Sequence, residues 1–307
     1  MNMPSRSRGL RNRSQSPQRG IVSLADWRRR RLRWSIQTLH AVTLILLFIV
    51  GLGPILWLGK AAITPTQDTI RQPMALWPHG WDLSLITRSF TEIHIERYFM
   101  NTVWIAIGSW LVQIIVATTA GYALSVLKPR GAKFLYALVL ATLFVPSIVL
   151  LVPLYLTVLS TPVLNIKLVD TYWAVWLPAG ASAFNVVLMK RFFDSLPREI
   201  FEAAEVDGAG PFRLFWSIVL PLSRPIVGVV SVFAVIATWK DYLWPMLVLP
   251  TVGNQPLSVR LPTLERGIQL DLFLASLAIA TLFPIVLFLI FQRMFLNGGG
   301  VSGAIKG

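Results

Sequence analysis

No cysteine occurs in the 307 residues, so a disulfide framework, a thiolate metal site and a cysteine nucleophile are all excluded. Histidine is scarce as well. His40, His79 and His94 are the whole set, and no two stand three or four residues apart, so no helix-borne imidazole pair can grip zinc. Charged residues make up only 14% of the chain, against about 25% in an ordinary soluble domain, while apolar residues reach 55%. A phosphate-cradling loop is also missing. It requires Gly, four residues, then Gly-Lys-Ser/Thr. The one Gly-Lys, Gly59-Lys60, has Pro54 where the first glycine belongs and Ala61 where the hydroxyl belongs. The chain is therefore expected to bind no ATP, metal or other cofactor itself, and to be no enzyme.

What the sequence has instead is long uncharged runs: 34–59, 98–127, 134–166, 171–189, 225–239 continued by 242–259, and 272–292. A membrane span needs about 20 mostly apolar residues. The runs predict six transmembrane helices, centred near Phe48, Ile114, Phe144, Leu177, Val232 and Leu282. Helix is required because hydrocarbon cannot satisfy backbone donors, and the period-two alternation of a barrel is absent. The first run exceeds the 7–15 residues of a signal-peptide core and reads as a retained anchor, although Ala61-Ala62 offers a small-residue pair after it. The fold class expected is an all-α integral membrane protein. Its parts are a basic tail (1–33), a first span (34–60), an outer segment (61–97), a five-helix core (98–296) carrying a polar loop at 196–221, and a tail (297–307).

Six spans place both termini on one side. With the loops after the second and fourth spans, that side holds 20 of the 28 lysines and arginines, ten of them in residues 1–33, whereas the 14 acidic residues divide six to eight. Orientation follows Lys/Arg, so this side is cytoplasmic. The net charge of +14 comes mostly from the N-terminal tail, which reads as an orientation signal touching anionic lipid rather than a nucleic-acid site.

One loop is longer than a connection needs. Pro197 suits a helix start and Glu199 favours its first turn. Ile200, Ala203, Ala204 and Val206 allow one apolar face. Gly208 and Gly210-Pro211 break the helix, and Phe212, Phe215, Trp216 and Val219 begin a second amphipathic piece. Two uses fit such an elbow: docking onto another protein, or lying on lipid. Glu202, Glu205 and Asp207 weigh against lipid, because the cytoplasmic leaflet is itself negative.

The same loop resembles the signature of ABC-importer permeases: Glu-Ala-Ala, three residues, Gly, nine residues, Ile, one residue, Leu-Pro. Glu202-Ala203-Ala204, Gly208, Ile218 and Leu220-Pro221 stand at that spacing, and Asp207-Gly208-Ala209, Pro221-Leu222 and Pro225 match the extended form of carbohydrate permeases. Over roughly 97–307 the chain is similar to the MalG type, through Asn101-Thr102, Gly121-Tyr122-Ala123-Leu124, Pro146, Pro153-Leu154-Tyr155, Thr171, Gln292-Arg293 and Gly303-Ala304-Ile305-Lys306-Gly307. The resemblance implies a type I importer transmembrane domain in a bacterial plasma membrane, with a sugar or sugar-like solute. It also implies partners: two ATP-binding subunits holding ATP and Mg, a second permease subunit and an extracytoplasmic solute-binding protein. Glu202, Ala203, Ala204, Asp207, Gly208 and Ala209 would then couple to the ATPase. Glu202 would make a charge-assisted contact, Ala203 permit close approach and Gly208 supply the turn.

Near the fifth span the family commonly has Trp-Asn-Asp/Glu, whereas this chain has Trp239-Lys240-Asp241-Tyr242-Leu243-Trp244-Pro245. A mid-bilayer lysine costs roughly 3 kcal/mol. Two readings stand: Lys240 lines the pathway and meets a polar or anionic solute group, or it is an outer-end lysine that snorkels outward or pairs with another helix. Trp239, Tyr242 and Trp244 fit flat sugar faces and an interfacial aromatic belt equally. Asp241, Asn185 and Tyr155 complete the pathway candidates, Asn185 fitting a helix–helix bond as well. An ion-coupled transporter is the rival class; it would need buried carboxylates or histidines in its spans, of which there are almost none apart from Asp241, and internal repeats, of which none is seen. A membrane enzyme would have only Asp68, His79, Asp82, Glu92 and His94 to draw on, without motif spacing.

Overall fold

The structure, a computed structural model, describes residues 30–77 and 80–298, excepting the side chains of 30–33, 291 and 293–298. Residues 1–29 of the basic tail, His79 and the C-terminal motif at 303–307 lie outside the described residues. Those described form helices and loops with no strand, as the backbone's need for internal partners in lipid demands. The chain divides into two units, Met1–Trp57 and Leu58–Gly307.

The described part of the first unit belongs to helix α1 (Arg30–Ala61), which runs on through Pro54. Its apolar stretch Trp34–Ala61 has 28 residues. At 1.5 Å per residue that is about 42 Å, more than the roughly 30 Å of a hydrocarbon core. Leu44, Ile45, Leu47, Phe48 and Ile49 are all exposed. A helix that is apolar on every side suits a membrane span.

In the second unit, α2 (Thr66–Arg71) and α3 (Ser84–Thr91) precede the long α4 (Ile95–Tyr122), extended by a π-helical turn to Leu127. Then follow α5 (Ala132–Thr142), α6 (Leu151–Leu159), α7 (Trp173–Ala179), α8 (Ala183–Asp194), α9 (Arg198–Val206), α10 (Pro211–Leu214), α11 (Leu220–Leu222), α12 (Arg224–Lys240), α13 (Leu243–Val248), α14 (Leu257–Leu264) and α15 (Leu270–Gly298). Three helical stretches, Trp34–Ala61, Ile95–Leu127 and Leu270–Ile290, are each long and apolar enough to cross a membrane.

The other expected spans are broken. The third bends by 100° between α5 and the stretch Ser147–Leu159. Pro146 lacks an N–H and disfavours the helical region for the residue before it; Phe144, in the turn, is 87% exposed. The fourth divides at 180–182 into α7 and α8. The fifth, α12, is 17 residues long and stops at an extended Asp241 (ψ 120°). It reaches span length only together with Pro211–Leu222, from which it bends by 78°. Among the described residues, up to five candidate spans are thus found by length and composition, and the remaining expected span, near Leu177, is divided into α7 and α8 and is not one of them.

Helix α4 is the central post, packing on α7, α8 and α12. At its start, Asn101 is buried and donates from Nδ2 to the carbonyls of Gly253 (2.8 Å) and Gln255 (3.0 Å), while its Oδ1 accepts from Tyr172 Oη (2.8 Å). Thr102 Oγ1 accepts from the Leu257 amide at 2.8 Å. Nearby, Asp170 accepts from Thr251 Oγ1 at 2.6 Å, and this bond foremost holds its carboxyl below the usual carboxylate range. Replacing Asn101 by Ala removes three bonds and leaves the Gln255 carbonyl and the Tyr172 hydroxyl without their Asn101 partner, while the Gly253 carbonyl keeps Arg97 Nε at 3.2 Å. We expect a loss of about 3 kcal/mol, read as a lowered unfolding midpoint in detergent, with Tyr172→Phe losing only one bond and about a third as much.

Candidate functional site

The polar loop folds by local rules into an elbow at the far end of α4. Helix α9 follows Pro197, whose ψ of 133° sets the entry, and carries Glu199 in its first turn. It closes with a Schellman turn. The Gly208 amide donates to the Glu205 carbonyl at 3.0 Å and the Ala209 amide to the Ala204 carbonyl at 2.9 Å. Gly208 takes φ +76°, a left-handed state that costs a residue with a Cβ about 1–2 kcal/mol. Ala204 is buried, and Ala209 packs against the same apolar cluster. The Glu-Ala-Ala…Gly spacing is therefore one short helix with an alanine turned inward and a glycine reversing the chain.

The elbow's outward side differs from the expected single apolar face. Of Ile200, Ala203, Ala204 and Val206, only Ala204 is fully buried; Ala203 is exposed and Val206 is 88% exposed. Leu214, Phe215 and Val219 point in, whereas Phe212 and Trp216 point out, their rings parallel within 6° at 6.4 Å. The exposed surface joins Glu202, Glu205 and Asp207 to Ala203, Val206, Phe212 and Trp216. None of the three carboxylates belongs to the ion pairs among the described residues, Arg88–Glu92, His94–Glu96 and Lys190–Asp194.

The elbow is fastened to the bundle. Tyr122 Oη, at the end of α4, donates to the Pro211 carbonyl at 2.8 Å, and its ring lies 5.0 Å from that of Phe215. Beside it Gly121 lets α4 meet α8, for a Cβ there would stand 3.0 Å from Met189 Cβ and 3.1 Å from the Lys190 nitrogen. Ser125 Oγ donates to Asp194 at 2.7 Å. The elbow is thus fastened to the end of α4, and α4 with its π-helical extension is fastened to α8.

The pathway candidates separate. Lys240 and Asp241 line an open cavity of about 520 Å³ with a mixed wall, in which Ser109, Gln113, Ser182 and Thr238 alternate with apolar residues such as Val175 and Pro178. Trp239 is buried elsewhere, stacked on Phe283 at 4.1 Å and edge-on to Phe99 at 5.7 Å. Tyr155 packs against an apolar cluster that includes Val158 and Trp244. Asn185 is buried and donates to Gln113 Oε1 at 2.7 Å, a bond between α8 and α4. Tyr242 lies outside the cavity wall, whereas Trp244 forms part of it and donates from Nε1 to the Ala174 carbonyl at 3.0 Å. Ser109, Gln113, Ser182 and Thr238 gave only a faint sign in the sequence, as small polar residues within apolar runs.

Comparison with known proteins agrees with this architecture. The family described as "binding-protein-dependent transport system inner membrane component" matches residues 113–297. The arabinooligosaccharides transport system permease protein AraQ of Halalkalibacterium halodurans is 32% identical, over 83% of this chain and 92% of that one. The maltodextrin transport system permease protein MdxG of Bacillus subtilis is also 32% identical, over 85% and 94%. In fold, the chain is similar to a chain of a crystallised bacterial ABC transporter involved in the import of the acidic polysaccharide alginate, with a TM-score of 0.73 at 21% identity, covering 86% of this chain and 97% of that one. On the breadth of the family match and the identity to AraQ and MdxG, this chain belongs to the binding-protein-dependent transport system inner membrane component family.

Proposed function

We propose that this chain forms half of the translocation pathway of an ABC importer for a carbohydrate or sugar-like solute, and that its α9–α10 elbow is gripped by a separate ATPase. The observation that carries the reading is the elbow itself. Its carboxylates, which join none of the ion pairs among the described residues, and two stacked aromatic rings face outward, while a hydrogen bond and a ring contact fix its inward side to α4. Such charge beside apolar surface fits a protein cleft better than an anionic lipid leaflet. The relatives named for arabinooligosaccharides and maltodextrin support a carbohydrate solute.

The reading requires two ATP-binding subunits, which hold ATP and Mg, a second permease chain and an extracytoplasmic solute-binding protein. It places both termini and the elbow on the cytoplasmic side of the bacterial plasma membrane. ATP-driven closure of the ATPase pair would move the elbow as a lever, and Tyr122 and Gly121 would pass that movement to α4 and α8. Affinity purification of the full chain from its own host tests the assignment. The expected result is co-purification of an ATPase and a second permease, with ATP-dependent solute uptake after reconstitution. Uptake driven by an ion gradient without ATP would overturn it.

A further inference from the structure

Two of the three interrupted spans break at the same place. The α7–α8 break at 180–182 and the α12–α13 break at 241–242 both border the 520 Å³ cavity beside α4. At membrane depth, irregular backbone is stable only where it is buried in protein or lines a watery space. Broken helices that converge on a cavity near mid-membrane are a general device for holding polar solutes.

Most polar groups on the wall are already engaged. Gln113 Oε1 accepts from Asn185 Nδ2 at 2.7 Å, and Thr238 Oγ1 donates to the Ala234 carbonyl at 3.0 Å. Asp241 Oδ1 accepts from the Trp244 amide at 3.4 Å and its carbonyl accepts from Ser258 Oγ at 2.6 Å, so this carboxylate caps α13. Ser182 Oγ accepts from the Asn185 amide at 3.4 Å and caps the N-terminus of α8. Gln113 Nε2 and the second oxygen of Asp241 carry no such bond, and two further groups stand out. Ser109 is fully buried, and its Oγ has no hydrogen-bond partner. Lys240 joins none of the ion pairs among the described residues. A buried hydroxyl without a partner is costly, whereas Lys240 is exposed at the end of α12 and so presents its ammonium to the open side of the cavity. The C-terminus of α12 answers only part of that charge. The N-terminus of α8 adds positive potential from the other side.

We propose that this cavity is a subsite for an anionic oxygen group, carboxylate or phosphate, on the transported sugar, with Lys240 as counter-charge and Ser109 as hydroxyl donor. The inference rests on the permease reading above, since it needs a solute pathway in this chain. It narrows the solute class to acidic or phosphorylated carbohydrates.

The absence of native cysteine supplies the test. Ala237 lies three residues before Lys240, on the same helix face, and lines the cavity. In the assembled importer an Ala237→Cys chain is labelled with an anionic reagent, sulfonatoethyl methanethiosulfonate, or a cationic one, trimethylammonioethyl methanethiosulfonate, and modification is read from the mass of this chain. With Lys240 the anionic-to-cationic rate ratio is expected to be roughly tenfold above that of the Lys240→Gln variant, and Lys240→Arg to keep the higher ratio. Digalacturonate or sn-glycerol 3-phosphate should slow labelling only while position 240 is cationic, the first marking a carboxylate subsite and the second a phosphate subsite. Neutral digalactose should not. An unchanged ratio in Lys240→Gln, equal protection by digalactose, or protection by none of the three overturns the proposal. Absence of a co-purifying ATPase would instead overturn the permease reading, and this inference with it.

Discussion

Gly208→Val is expected to leave the importer assembled but to cut ATP-driven uptake by at least about tenfold. A Cβ at this position would meet nothing within 4 Å, so crowding plays no part. The cost is conformational: φ +76° is left-handed, and a β-branched residue there is a genuine outlier. The chain would relax by abandoning the two bonds of the Schellman turn, Gly208 to Glu205 and Ala209 to Ala204. That frees α10 to swing away from α9 and removes the fixed spacing between the carboxylates and the Phe212–Trp216 pair. Asn enters the left-handed region readily, so Gly208→Asn should keep most of the uptake. Glu202→Gln supplies the complementary case. Glu202 is exposed and in no ion pair, so stability should change by less than about 0.5 kcal/mol, and any loss of uptake would report on the partner contact. Parallel assays of ATP hydrolysis and uptake in proteoliposomes check all three variants. Wild-type uptake in both Gly208→Val and Glu202→Gln would refute the lever.

How legible these features are in the sequence depends on what fixes them. The helical class follows from the uncharged runs, because lipid leaves the backbone no other choice. Counting uncharged residues, however, measures transfer cost and not backbone continuity. The runs at 134–166 and 171–189 therefore read as single spans, although Pro146 and the Gly180–Ser182 stretch divide them. Asp241 ends α12 by serving as a cap for α13, a use that composition does not reveal. The elbow shows the same division. Its turn was readable, since a glycine four residues after Ala204 fits only a few caps. Its buried face was not. Ala203 and Ala204 are alike in type, and the choice between them is made by Tyr122, Phe215 and Val219, which reach the loop from α4 and from beyond the turn. A π-helical turn at Phe215–Val219 also shifts the ordinary helical register, which helps to explain why Phe215 and Val219 face in while Phe212 and Trp216 face out. Trp239 and Trp244 are equally plausible as pathway aromatics in the sequence. Only packing tells them apart, by stacking one on Phe283 and setting the other in the cavity wall.

The packing of α4 on α7 should be the point most sensitive to a single added methyl. At Gly108 a Cβ would fall inside the Trp176 indole, in contact with Cε2, Nε1 and Cδ2 at once. The ring has little room to yield. Trp173 stands edge-on to it at 5.0 Å and Tyr172 lies tilted at 5.9 Å. Its Nε1 is buried without a partner, so the indole is held by shape and not by a bond. Close approach through small residues is a principal source of helix association in lipid, where apolar burial gives little. Gly108→Ala is expected to destabilise by about 2 kcal/mol, within the usual range for overpacking, and Gly108→Leu to abolish the folded chain. Since α7 carries part of the wall that faces Lys240, a partial shift of α7 in Gly108→Ala should also widen or collapse the cavity, and uptake should fall further than stability does. The Trp176→Leu substitution makes room. The double variant Gly108→Ala with Trp176→Leu should therefore recover part of the loss, giving a coupling energy of about 1–2 kcal/mol in a double-mutant cycle. Unfolding midpoints of the assembled importer in detergent, with the yield of monodisperse particle, measure each corner of that cycle. A Gly108→Leu chain with wild-type yield and midpoint would show that α4 and α7 do not meet as described, and the cavity they wall would lose its support.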